Sequence, residues 1–85
     1  MKYIIVAFKS RNETLYFANL FMKNGYRVQI VNTPSEIGHS CGISVQITQG
    51  MLALAKQTLM AKPFRTFYGI FSIERKNGKV SIIKL

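Results

Sequence analysis

Four pieces of local punctuation divide this chain, and they leave room for essentially one order of elements. Ser10-Arg11-Asn12-Glu13 has the form of a capping box, a serine at N-cap with a glutamate three residues on, and so starts a helix. Asn24-Gly25 ends that helix, because glycine tolerates the left-handed conformation a helix cap needs. Lys62-Pro63 stops a second helix, since proline lacks the amide hydrogen and disfavours helix in the residue before it. Asn77-Gly78 is a two-residue hairpin signal.

Hydrophobic periodicity fills the intervals. Residues 2–8 are rich in Ile, Val, Tyr and Phe and predict a strand. The first helix runs to about Lys23, with Leu15, Ala18, Phe21 and Met22 at helical spacing. Residues 26–31 predict a second strand, Val28 and Ile30 alternating with Arg27 and Gln29, and residues 32–42 a long loop. A third strand alternates most clearly, Ile43, Val45 and Ile47 against Ser44, Gln46 and Thr48. The second helix spans about Gly50 to Ala61 and buries Met51, Leu54 and Ala55. Residues 65–74, with Phe67, Tyr68 and Phe71 after Phe64, predict a fourth strand, and Lys79 to Lys84 folds back beside it.

Strand-helix-strand-strand-helix-strand is the split βαβ, ferredoxin-like order. The expected fold is therefore α+β, with an antiparallel sheet, both helices on one face and an extra C-terminal hairpin strand at the edge. Eighty-five residues make one domain, 1–85. Its other sheet face should present Ile5, Ala7, Val31, Tyr68, Ile70 and Ile83. That much exposed apolar surface suggests a homodimer or a stable partner.

No stretch approaches the roughly 20 apolar residues of a membrane helix. The run Tyr3 to Phe8 is too brief for a signal-peptide core. A cytoplasmic location, where a lone thiol stays reduced, is the expectation. Twelve Lys and Arg against three acidic residues give a net charge of +9, which favours an anionic partner, nucleic acid or an acidic protein. Glu13, Glu36 and Glu74 are too scattered to form a catalytic carboxylate pair, and no phosphate-binding glycine loop is present. One cysteine and one histidine cannot complete a zinc site, and Met22, Met51 and Met60 read as core filler, so no metal and no cofactor is expected.

The single cysteine, in His39-Ser40-Cys41-Gly42, lies between a turn-rich segment and the third strand. Free cysteine usually behaves as a small buried hydrophobe. A thiol at a loop-to-strand junction is more accessible than one inside an apolar run. In this topology the loop before strand three meets the end of strand one and the start of helix one. Cys41 should thus approach Phe8-Lys9-Ser10-Arg11, on the helix-covered side shared with Ile43, Val45 and Ile47. The helix N-terminus, Lys9 and Arg11, with Lys62 and Arg65 at the same end, would favour a thiolate. Gly42 leaves room for approach, and Gly38 lets a loop of few apolar anchors, Thr33 to Ser40, move. His39 would point to the side of Cys41 if the segment is extended, as a base or ion-pair partner, and otherwise stands in solvent.

Pro34, Ile37 and the pair Cys41-Gly42, after a strand-helix-strand opening, resemble the selenium/sulfur carrier protein-like family of small bacterial and archaeal domains. The resemblance covers residues 3 to 60, and Ser40-Cys41-Gly42 is its sharp motif. Ser35 stands where a basic residue is expected, and the basic hairpin from Arg65 to Leu85 extends the shorter pattern. The resemblance implies a carrier, not an enzyme, whose cysteine takes sulfur or selenium from a donor such as a cysteine desulfurase and passes it to an acceptor protein. Only Cys41, with Gly42 beside it, carries over; His39, Lys9 and Arg11 rest on placement alone. The alternative is a small basic RNA-binding module of the same fold, although the aromatics of Phe64 to Phe71 lie on the fourth strand rather than the third.

Overall fold

The computed structural model describes residues 2–38 and 40–85 of the chain. The elements are β1 (Lys2–Phe8), α1 (Arg11–Lys23), β2 (Gln29–Asn32), β3 (Ile43–Ile47), a 3-10 turn (Gln49–Met51), α2 (Leu52–Ala61), β4 (Phe67–Lys76) and β5 (Lys79–Lys84). They form one antiparallel sheet in the order β2-β3-β1-β4-β5. This is the ferredoxin-like α+β arrangement with a fifth strand added beside β4. Among the described residues, no helix is long and apolar enough to cross a membrane.

Local chemistry explains most boundaries. Ser10 caps α1, its Oγ accepting the Glu13 amide at 3.3 Å. The C-terminus closes as a Schellman motif: the Tyr26 amide donates to the Phe21 carbonyl and the Gly25 amide to that of Met22. The Phe21 and Tyr26 rings meet edge to face across it. That motif occupies residues 24–26, so β2 starts at Gln29 rather than at residue 26. Asn77 and Gly78 both take positive φ, 52° and 75°, as a type I′ hairpin turn requires.

The helix-covered face holds the main core: Ile4, Val6, Phe8, Val45, Ile47 and Ile70 from the sheet, Phe17, Ala18 and Phe21 from α1, Met51 and Ala55 from the second helical segment. The buried stripe of α1 is Thr14, Phe17, Ala18 and Phe21; Leu15 and Met22, expected inside, are exposed. Phe8, Phe17 and Phe64 interlock with ring centroids 5.3 to 5.5 Å apart.

The opposite face departs from expectation. Ile5 and Ala7 lie there but are fully buried, not exposed. They belong to a second cluster with Phe71, Ile73 and Ile37, flanked by Tyr3, Val31, Tyr68, Val80 and Ile82. Ile37 is the loop's apolar anchor over this face. Ile70 and Ile83 lie on the helix side instead: Ile70 pairs with Val6, and Ile83 with Ser72, which pairs with Ile4. A register shift between Ala7 and Phe8, where Phe8 pairs with Phe67 and Ala7 with Gly69, leaves Tyr68 on the Phe71 side.

Over residues 33–38 the loop is tied down at several points. The Thr33 amide donates to the Gly42 carbonyl, and the Thr33 and buried Ser44 hydroxyls are 2.6 Å apart. The Ile37 amide donates to the Pro34 carbonyl, and the Tyr68 hydroxyl to the Ile37 carbonyl at 3.4 Å.

Candidate functional site

The end of β1, the first turn of α1 and the entry to β3 converge, and Cys41 stands where they meet. Its amide donates to the Phe8 carbonyl at 3.2 Å, tying the residue to the end of β1. Gly42 follows with φ 94°, a region that side chains with a Cβ avoid. A Cβ there would meet nothing within 4 Å. The glycine is therefore required by backbone conformation and not by crowding around the sulfur. Its amide donates to Ser40 Oγ at 3.1 Å.

The thiol is free and half-buried. Sγ donates to the Ile43 carbonyl at 3.4 Å and lies 3.4 Å from Thr14 Oγ1. Thr14 is fully buried on α1, and its hydroxyl donates to the Ser10 carbonyl at 2.9 Å. Its hydrogen is thereby turned away from the sulfur. The Ile43 carbonyl accepts the thiol hydrogen, and the Thr14 hydroxyl oxygen is the second polar neighbour of Sγ. Thr14 escaped the sequence reading. The signal available was a polar residue three before Phe17, on what proves to be the buried stripe.

The flanking cations are placed differently from one another. The Lys9 ammonium stands 5.9 Å from the centroid of the Tyr68 ring, whose side chain packs against the second cluster. Arg11 is exposed at the first position of α1. Arg65 is exposed as well, and its amide donates to Glu13 Oε2 at 3.0 Å. His39 lies outside the described residues.

Glu13 organises this end of the molecule. Its carboxylate accepts the amides of Arg65 and Thr66 and the Thr66 hydroxyl. The Thr66 hydroxyl in turn accepts the Ser10 amide at 3.2 Å, and the Thr66 carbonyl accepts the Lys9 amide at 2.8 Å. The capping box is thus completed through Thr66 rather than by Glu13 reaching back to Ser10. The Thr66 hydroxyl bond, then the two amides and the Arg65 charge, hold the Glu13 carboxyl below its usual pKa of 4.5 against some desolvation.

Fold and site together define a small α+β domain that presents one thiol at the end of its sheet. The chain matches the family described as Putative Se/S carrier protein-like over residues 2–67 and belongs to it. The match runs from β1 to the first residue of β4. No curated protein and no solved structure matches the chain.

Proposed function

We propose that this protein is a non-enzymatic carrier of sulfur or selenium, with the transferred atom held on Cys41. The observation that carries the reading is the half-exposed thiol at the joint of β1, α1 and β3, in a member of a family described as carriers. The Cys41 thiolate attacks the outer sulfur of a donor persulfide, R–S–SH. The donor's S–S bond breaks as a new one forms to Sγ, and the donor leaves as thiolate. That thiolate takes up the proton Cys41 gave away. The product is Cys41–S–SH, with no net oxidation; R–S–SeH gives Cys41–S–SeH by the same exchange. In the second half a nucleophile on the acceptor attacks the outer atom and Cys41 leaves as thiolate.

Thr14 acts as a positioning residue in both halves. A thiolate needs a donor where the thiol needed an acceptor, and the Thr14 hydroxyl supplies one by turning from the Ser10 carbonyl to Sγ. The donor in this reading is a cysteine desulfurase-like protein of the cytoplasm, and the acceptor a protein nucleophile. RNA binding is less well supported, because the central strands offer Ile5 and Ala7 buried under Ile37 where stacking aromatics would be needed.

Incubation with a cysteine desulfurase and cysteine should place a persulfide on Cys41, detected by persulfide-selective labelling. Reductant should remove it, and Cys41→Ser should abolish it. A free thiol that reacts with iodoacetamide yet stays unlabelled with several desulfurases and with a selenide-loaded donor would overturn the carrier reading.

A further inference from the structure

Beside α2 the added hairpin leaves part of the helix-covered face without a helix. Phe67, Ile70, Ser72, Ile83 and Leu85 all fall on that side: Ile70 and Ser72 pair with Val6 and Ile4 of β1, Ile83 pairs with Ser72, and the Leu85 amide donates to the Ile70 carbonyl. Ile70 and Ser72 are buried, but Ile83 is 59% exposed and Leu85 44%. Across from them, Met60 of α2 is 88% exposed. Between lies a groove of about 330 Å³, lined by Leu59, Met60, Phe67, Ile70 and Leu85 and bordered by Lys56. The strand side of this groove lies at or beyond the end of the family match, so it is a feature of the hairpin.

We infer that this groove docks an amphipathic helix of a partner protein, apolar on one face and carrying Asp or Glu along the edge that meets α2. The shape favours a helix, because α2 forms one wall and the sheet the floor, and a further helix laid beside α2 continues the same layer. Charge selects the edge along α2. Lys56 borders the groove there, and the Lys84 ammonium lies over the Tyr68 ring on the other face, whereas the three acidic residues lie elsewhere: Glu13 is held at Arg65 and Thr66, Glu36 sits in the loop, and Glu74 pairs with Ser81 far along β4. A second copy of this chain, at +9, brings like charge to the same place.

The groove also has a fixed relation to the thiol. Phe67 opens it and pairs with Phe8, whose carbonyl holds the Cys41 amide. Two strand spacings, about 10 Å, separate β3 from β4. A helix docked here places the body of its protein beside Cys41, so the inference rests on the carrier reading for its purpose, though not for its geometry.

The test uses two designed peptides with leucines at helical spacing, one edged with glutamates and one with lysines, titrated into the full-length protein by NMR. The acidic peptide should shift the amides of residues 56–60, 67–70 and 83–85. Met60→Asp should weaken it about tenfold, by losing one buried apolar side chain and adding repulsion. Lys56→Glu should weaken it as well, and the lysine-edged peptide should not bind. Equal binding of both peptides, shifts centred elsewhere, or a dimer in sedimentation that Met60→Asp dissolves would overturn the inference. Loading of Cys41 from a small-molecule persulfide should be the same in Met60→Asp as in wild type. If neither protein loads while the peptide results stand, the carrier reading fails and the docking surface remains.

Discussion

Thr14 and Cys41 are 27 residues apart in the chain and 3.4 Å apart in space, and their chemistry depends on where one hydrogen points. A hydrogen bond to a charged group contributes about 1.5–3 kcal/mol. Thr14→Val keeps the shape and removes the hydroxyl, so alkylation of Cys41 by iodoacetamide at neutral pH should slow about tenfold. Thr14→Ser should restore the rate, which a merely space-filling residue would not do. Equal rates in all three proteins would remove Thr14 from the mechanism. Gly42 is constrained for another reason. Gly42→Ala puts a Cβ into empty space but into a left-handed backbone, at a cost of about 1–2 kcal/mol. Thermal unfolding should register that loss; an unchanged midpoint would mean the loop adopts another φ in solution.

At the scale of elements, the attachment of β4 to α1 runs through one carboxylate. Folding holds the Glu13 pKa below 4.5, so the unfolded chain binds the proton more readily. The stabilisation is fully present above about pH 4.5 and is lost as pH falls through the lower, folded value. Glu13→Gln should destabilise the protein by about 1 kcal/mol at neutral pH, allowing for screening at a partly exposed group. Denaturant curves should show the two proteins converging as pH falls below 4.5. A constant difference across that range would contradict the linkage. Local signals made the elements themselves legible: Ser10 three before Glu13, the Asn77-Gly78 turn, and the alternation from Ile43 to Ile47 all act between near neighbours. The partner of Glu13 lies more than fifty residues away, which no local pattern encodes. The late start of β2 was hidden similarly, because a Schellman closure involving Tyr26 resembles strand sequence until the Phe21 carbonyl is seen to claim its amide.

At the scale of the whole molecule, the fold closes both sides of its sheet with different materials. Helices cover one side. On the other, a single loop isoleucine, with tyrosines and hairpin side chains around it, buries Ile5 and Ala7. Ile37 reads in the sequence as one apolar residue in a polar loop, so its weight was invisible before the loop had a place to land. Ile37→Ala should cost about 2–4 kcal/mol and speed hydrogen exchange at Ile5 and Ala7. Unchanged protection would mean that the loop does not cover this face in solution. The same loop leads to Cys41, so the cover that completes the core also fixes where the thiol stands. The most direct test of that thiol as a carrier is the intact mass of the protein through one full cycle. Treated with a persulfide donor and separated from it, the protein should gain the mass of a sulfur atom on Cys41. Given an acceptor thiol, it should return to its starting mass as the acceptor gains that sulfur. A protein that never gains the mass, or gains it equally as Cys41→Ser, contradicts the account.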